Sequence, residues 1–195
     1  MAEKKQDRRV RRTRALLRQA LTELMQTKDA RSITVQELTE RADINRGTFY
    51  AHYKDVYDMI DKMQEELFEE LSVLLDQYDE EKLKGNLMPV LTDVFRFVEK
   101  NKDLLPIFLD REATEHFLLG LNKIIFERCF STWAGVYNLS TDRNSIYCLE
   151  FVVSGMVGLV QVWIKTGFRE SPEQMSALTA ALIQNGLGGG RATAE

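Results

Sequence analysis

The sequence predicts an all-α fold of about nine helices, and three observations predict it. Apolar residues recur at i, i+3, i+4 and i+7 in one segment after another, the spacing that lines one face of a 3.6-residue helix. No segment alternates apolar and polar residues in the way a half-buried strand does. Only 3 prolines interrupt the 195 residues, which suits long helices. With 44% hydrophobic and 29% charged residues, the composition is that of a globular chain and argues against wholesale disorder.

Residues 1–9 are polar and read as a basic flexible arm. Lys4, Lys5, Arg8, Arg9, Arg11, Arg12, Arg14 and Arg18 form a basic cluster that runs into a first helix at about 9–27. The apolar face of that helix is Leu17, Leu21, Leu24 and Met25, with Leu16 and Ala20 beside it. In the next segment Thr34 stands where an N-cap belongs and Glu37 follows three residues later, a capping-box spacing. Val35, Leu38 and Ala42 share one face of the short helix that follows, and the pattern stops at Ala42-Asp43-Ile44. Asn45 is a second N-cap candidate, opening a third helix from about Arg46 to His52. Phe49 and Tyr53, four apart, are its buried side, which leaves Arg46, Thr48, Tyr50 and His52 for another surface. Gly47 in the first turn has no side chain to hold another molecule away.

Two helices this short cannot bury a core alone. Joined by three or four residues they fit a helix-turn-helix, whose second helix enters the major groove of DNA. The spacing by itself fits a helical hairpin inside an all-helical core equally well. The residues carry more than the spacing. Ile33-Thr34-Val35, Glu37-Leu38, Ala42, Ile44-Asn45-Arg46-Gly47-Thr48-Phe49-Tyr50 and His52-Tyr53-Lys54 closely resemble the DNA-binding segment of the TetR (TetR/AcrR-type) family of bacterial transcriptional regulators. Thr39 stands where a small alanine is usual in that family, and Val56 where many members carry lysine. The motif resemblance covers about the first third of the chain; beyond it the helical layout and length are similar. The domains expected on this basis are the arm at 1–9, a DNA-binding domain at 10–55 with its helix-turn-helix at about 33–52, a helical regulatory and dimerisation domain at 56–186, and a disordered tail at 187–195. Arg46, Gly47 and Thr48 are the candidates for entry into the groove. Thr34, Asn45, Tyr50, His52 and Lys54 are candidates for phosphate contacts and caps.

A fourth helix is expected at about 55–80, where Val56, Met59, Ile60, Met63, Leu67, Leu71, Leu74 and Leu75 form one stripe. At 1.5 Å per residue it would span ~39 Å, long enough to belong to both domains and link them mechanically. Glu80 to Asn86 reads as a loop. Pro89 near a helix start and the apolar set Leu87, Val90, Leu91, Val94, Phe95 and Val98 mark a fifth helix ending near Asn101. A short sixth covers 103–109, and a seventh runs from Thr114 to Trp133, broken by Gly135 to Thr141. Asp142 is expected to cap an eighth helix that reaches about Thr166 and closes at Gly167. Ser171-Pro172-Glu173-Gln174 is a helix-start signal for a ninth, which stops near Gly186.

The eighth helix is apolar almost all round, so it must be buried on all sides. Gly155 and Gly158 weaken it by ~1 kcal/mol each against Ala, which close approach of a partner backbone would offset. The resemblance implies that the last two helices pair with their copies, with Val152, Gly155, Met156, Gly158, Leu159, Leu178 and Leu182 as the expected dimer interface. It also implies a pocket among the fourth to eighth helices. The candidate lining is Met63, Phe95, Phe108, Phe117, Phe126, Trp133 and Trp163, each of which also fits plain core.

Charge divides the chain. Residues 1–60 hold 13 Lys/Arg against 9 Asp/Glu, a net +4, whereas residues 61–195 hold 13 against 21, a net −8. A basic head on an acidic body places phosphate attraction at one end. Cys129 and Cys148, the only cysteines, fall in apolar helical patterns and read as buried thiols in a reducing cytoplasm. The longest uncharged apolar stretch, 151–164, is shorter than the ~20 residues of a membrane span. His52 and His116, the only histidines, are not brought together by any pattern, and His116 reads as a surface or pocket-edge residue. No metal-ligand spacing, nucleophile motif or glycine-rich phosphate loop is present, so neither a metal, a cofactor nor an enzyme is expected. The expected function is that of a cytoplasmic, nucleoid-associated homodimer that binds a palindromic operator in double-stranded DNA, as a repressor, and answers to an unknown small-molecule effector. A regulator whose body binds a partner protein instead is the alternative.

Overall fold

In the computed structural model, residues 2–83, 86–108, 114–137 and 143–189 are described. Among them are ten α-helices and no strand. The chain divides into two compact units, Met1–Glu66 and Leu67–Glu195, and the division falls inside one helix.

The first unit is built from α1 (Ala2–Met25), a 3-10 turn (Ala30–Ser32), α2 (Val35–Arg41), α3 (Arg46–Tyr50) and the first half of α4 (Val56–Leu75). α1 begins at Ala2, well before the expected arm ends. Ala2, Glu3, Lys4, Lys5 and Gln6 are all strong helix formers, which the reading of polarity as disorder overlooked. The core is made by Leu17 and Leu21 of α1, Leu38 of α2, Phe49 of α3 and Met59 of α4, all fully buried, with Ala20, Ile33, Ala42, Tyr53, Val56 and Met63 around them. Burying side chains of this size contributes ~1.5–3 kcal/mol each. In a unit this small, each is a large share of a net stability of only ~5–15 kcal/mol.

The second unit holds the rest of α4, α5 (Glu80–Leu83), α6 (Met88–Lys100), α7 (Leu105–Phe108), α8 (Thr114–Tyr137), α9 (Arg143–Lys165) and α10 (Pro172–Gly189). α4 ends at Leu75, not near residue 80, and is therefore ~30 Å long at 1.5 Å per residue. Asp79 explains the break: its Oδ1 accepts from the Lys82 N–H at 2.9 Å and caps α5, where a loop was expected. α8 continues past Trp133 to Tyr137, so Gly135 does not break it, and α10 continues past Gly186 to Gly189. Residues 190–195, Gly85 and Asp142, the expected cap of α9, lie outside the described residues.

Two boundaries of the second unit follow their local chemistry closely. After α9, Gly167 takes a left-handed φ of 76°. The Phe168 N–H then donates to Trp163 C=O at 2.9 Å and the Gly167 N–H to Ile164 C=O at 3.0 Å, a Schellman closure. α10 opens with Ser171 and Gln174 capping one another at 2.8 and 3.2 Å ahead of Pro172. Its inward face carries Ser176 and Thr179, both fully buried. Their hydroxyls donate to the carbonyls of Pro172 and Met175, four residues back, so neither is left unsatisfied.

Candidate nucleic-acid interface and regulatory cavity

The turn between α2 and α3 is set by backbone hydrogen bonds. Asp43 adopts φ 51°, a left-handed conformation that aspartate tolerates better than most residues. The Asp43 N–H donates to Glu40 C=O and the Ile44 N–H to Thr39 C=O at 3.0 Å, which closes α2 in a Schellman motif. Asn45 follows at once as the N-cap of α3, its Oδ1 accepting from the Gly47 N–H at 2.8 Å. At the other end of α2 the capping box forms: Thr34 Oγ1 accepts from the Glu37 N–H at 3.2 Å, and Glu37 Oε2 accepts from the Thr34 N–H at 3.0 Å. Hydrogen bonds from Lys28 and Thr34 hold the Glu37 carboxyl at about 2, well below its ordinary range.

α3 itself is a single short helix anchored from one side. Phe49 is fully buried against Tyr53, ring centroids 5.6 Å apart, and burial pushes the Tyr53 hydroxyl up from its ordinary value. The other side faces out. Arg46, Gly47, Tyr50 and Lys54 are exposed, Thr48 and His52 half-buried, and Thr34 and Asn45 exposed at the helix starts. All eight sequence candidates for DNA contact thus lie on the surface of the first unit, whereas Phe49 and Tyr53 lie beneath it. Tyr50, 58% exposed, stands edge-on to Phe49, so a large ring is presented outward on a rigid base.

Lys62, one turn into α4 beyond Asp58, is a residue that sequence reasoning missed. Its Nζ donates to His52 C=O at 3.1 Å and to Asp58 Oδ2 at 2.9 Å, and lies 5.5 Å from the centre of the Tyr53 ring. It places a cation on the C-terminal carbonyls that follow α3, where a helix end favours positive charge. A lysine on the polar face of a helix has no sequence signature for this role. The two family departures are also accounted for. Thr39 is buried and its hydroxyl donates to the carbonyls of Val35 and Gln36 at 2.9 and 3.0 Å. Val56 is core. In the basic cluster, Arg8, Arg9, Arg11, Arg12 and Arg14 are exposed, and Arg14 is paired with Glu66 at 2.6 Å. The side chains of Lys4 and Lys5 lie outside the described residues.

The second unit holds a cavity of about 110 Å³, partly open to solvent. α4 contributes Leu67 and Phe68 to its wall, α6 contributes Val94, α8 contributes Phe117 and Leu121, and α9 contributes Val157. Every described lining residue is apolar. Of the six expected pocket residues whose side chains are described, Phe117 alone lines it. Met63 is buried in the first unit instead. Phe95 and Trp163 pack edge to face at 5.5 Å in solid core, and Phe108 is fully buried behind Phe117, its ring stacked on it at 5.3 Å. Phe126 is 44% exposed, and the side chain of Trp133 lies outside the described residues. Aromatics are large enough to fill space with one another, so the wall of the void is mostly aliphatic.

α9 and α10 carry an uncovered apolar face. Tyr147, Phe151, Gly155, Gly158 and Val162 recur at helical spacing along α9, with Tyr147 64%, Phe151 69% and Val162 58% exposed. On α10, Leu178 is 48% and Leu182 52% exposed. A Cβ built on Gly155 or Gly158 would meet nothing within 4 Å. Leu159 is half-buried. Val152, expected on this face, is instead 4% exposed in the unit's own core and lines the cavity, as does Met156. By length and composition the stretch 146–165 could cross a membrane; its inner face, with Val152, Val153 and Trp163, is buried in protein. Of the remaining groups, His116 is exposed and Cys148 half-buried, less covered than expected, and the side chain of Cys129 lies outside the described residues.

A TetR-type family profile described as "Transcriptional regulator C-terminal region" matches residues 85–185, just over half of the chain. Among curated proteins, the HTH-type transcriptional regulator YxbF of Bacillus subtilis (strain 168) is 23% identical over 176 residues. That alignment takes in 87% of this chain and 44% of YxbF, so the chain spans less than half the length of that relative. Among solved structures, NalD, the secondary repressor of the MexAB-OprM multidrug efflux pump in Pseudomonas aeruginosa, superposes with a TM-score of 0.68 at 18% identity, over 91% of this chain and 97% of NalD. The fatty acid degradation regulator FadR from Bacillus halodurans gives 0.63 at 15%, over 91% and 95%. The dihydroxyacetone kinase operon activator DhaS gives 0.62 at 15%, over 90% and 96%. At such identities these structures establish the fold. Together with the profile match, which the helix-turn-helix of the first unit accompanies, they place the chain: it belongs to the TetR family of transcriptional regulators.

Proposed function

We propose that this chain is a homodimeric repressor that binds a palindromic operator through α3 and releases it when a small molecule occupies the cavity of the second unit. The observation that carries the reading is the division of α3 into two sides. Phe49 and Tyr53 hold the helix from beneath, and Arg46, Gly47, Thr48 and Tyr50 form the outward side. An arginine in the first turn suits bidentate hydrogen bonding to guanine O6 and N7. Asn45, His52 and Lys54 carry donors suited to phosphate oxygens, and Thr34, whose hydroxyl donates to Glu37 Oε2 at 3.0 Å, stands exposed at the start of α2. The uncovered face of α9 and α10 supports pairing of two copies, and a two-fold dimer reads two half-sites. Its site of action is the cytoplasm, where the DNA lies.

The test is a mobility-shift titration against genomic fragments that the purified protein retains. Arg46→Ala removes a contact worth ~1–3 kcal/mol and should weaken operator binding roughly 5- to 150-fold, with helicity unchanged. An unchanged affinity refutes the assignment of α3 as the reading helix. A promoter reporter decides the sign of regulation: deletion of the gene should raise expression from the bound promoter.

A further inference from the structure

We infer that the ligand of the second unit is a compact, uncharged hydrocarbon-like molecule, recognised by shape with no polar anchor. This rests on the proposal that the cavity holds the effector, and narrows its chemistry. The walls come from α4, α6, α7, α8 and α9, and no described lining side chain offers a hydrogen bond or a charge. The backbone of those helices is engaged in its own ladders. The polar groups near the core are already committed: Tyr78 donates to Asp93 at 2.5 Å, and the Asn101 amide donates to Phe97 C=O at 3.0 Å. Lys100 pairs with Glu70, and Arg96 with Glu173, both on exposed surface. A carboxylate or ammonium entering the cavity would lose its water and gain no partner among the described lining residues.

Size narrows the class further. At about 110 Å³ the void is somewhat smaller than a dry cavity of ~150 Å³, lined by Leu, Ile and Phe, that holds benzene. The space suits a guest no larger than one ring or one short chain. The guest touches Leu67, Phe68 and Leu71 directly. Phe68 is not free to retreat: its ring stacks on Phe117 at 5.3 Å, and on another side it occupies the space that a side chain at Gly120 would need. Occupancy therefore presses on α4, the helix whose first turns, with Val56 and Met59, are core of the DNA-binding unit.

The experiment titrates the full-length protein with two matched pairs, toluene against benzoate and n-hexane against hexanoate, by thermal melting and calorimetry. Each neutral probe should raise the melting temperature saturably and bind roughly a hundredfold or more tightly than its carboxylate partner. Val157→Phe should abolish the response by filling the void, and Leu121→Phe provides a second filled variant should the first not fold. Three results overturn the inference: carboxylates that bind as tightly as their neutral partners, wild-type protein that responds to neither neutral probe, or filled variants that respond like wild type. A separate mobility shift without ligand tests the regulator reading alone. Failure there, with toluene bound, would sink the operator proposal and leave the ligand class standing.

Discussion

Replacing Gly155 and Gly158 by alanine tests the dimer through two opposed magnitudes. Glycine in a helix interior is ~1 kcal/mol less favourable than alanine. Apart from the helix's own backbone, no described residue of the chain lies within 4 Å of a Cβ added at either position, so an isolated protomer of Gly155→Ala or Gly158→Ala should gain about 1 kcal/mol. If α9 instead packs on its copy through these glycines, each substitution places a methyl group on both sides of a symmetric contact. Overpacking of ~1–3 kcal/mol then raises the dimer dissociation constant roughly 5- to 150-fold. Gly120→Ala is the internal control. Its Cβ would lie 2.5 and 2.9 Å from Phe68 Cε2 and Cζ, a ring already stacked on Phe117. There the same ~1 kcal/mol helix gain meets a ~1–3 kcal/mol clash inside the chain, so stability should fall slightly while self-association stays the same. Sedimentation equilibrium over a concentration series, paired with urea unfolding at high dilution, separates the two effects. A Gly158→Ala protein that is more stable and still dimerises as tightly as wild type would refute close approach at this face.

Three further predictions concern the first unit. Thr34→Ala removes the hydroxyl half of the α2 capping box, the acceptor for the Glu37 N–H, while the residue-34 N–H can still donate to Glu37 Oε2; it should lower stability by ~1 kcal/mol in urea unfolding. The Glu37 carboxyl is held at about 2, below its ordinary 4.5. A depressed carboxyl stabilises the fold above its unfolded value, and that contribution disappears as pH falls toward the folded value. Asp58 is lowered as well, chiefly by Lys62, and Glu23 by Gln19 and Arg41. Acid unfolding should therefore set in between about pH 4.5 and 2, and Glu37→Gln should flatten that part of the stability curve. Lys62→Met withdraws the cation from His52 C=O and the Tyr53 ring. Operator affinity should fall about fivefold, for ~1 kcal/mol of lost positioning, while the melting temperature moves little. Equal affinities of Lys62→Met and wild type in a mobility shift would show that Lys62 does not position α3.

Much of this protein was legible from its residues because the relevant forces act within a few positions. Thr34 with Glu37, Asn45 before Gly47, Gly167 after α9 and Ser171 with Gln174 each satisfy backbone groups that are near neighbours in the chain. Helical periodicity separates Phe49 and Tyr53 from the outward side of α3 for the same local reason. What required the tertiary structure was everything that periodicity leaves without a phase. α9 is apolar nearly all round, so nothing in its own residues tells that Val152 faces the core while Phe151 and Val162 face outward; packing against neighbouring helices decides it. The cavity is further from local chemistry still. A void exists where the side chains of five helices fail to meet, and its wall is whichever residues border the gap. Trp163 and Phe95 resemble a binding wall by type, but they fill their own space, and Leu121, Val94 and Val157 were left to line what remained.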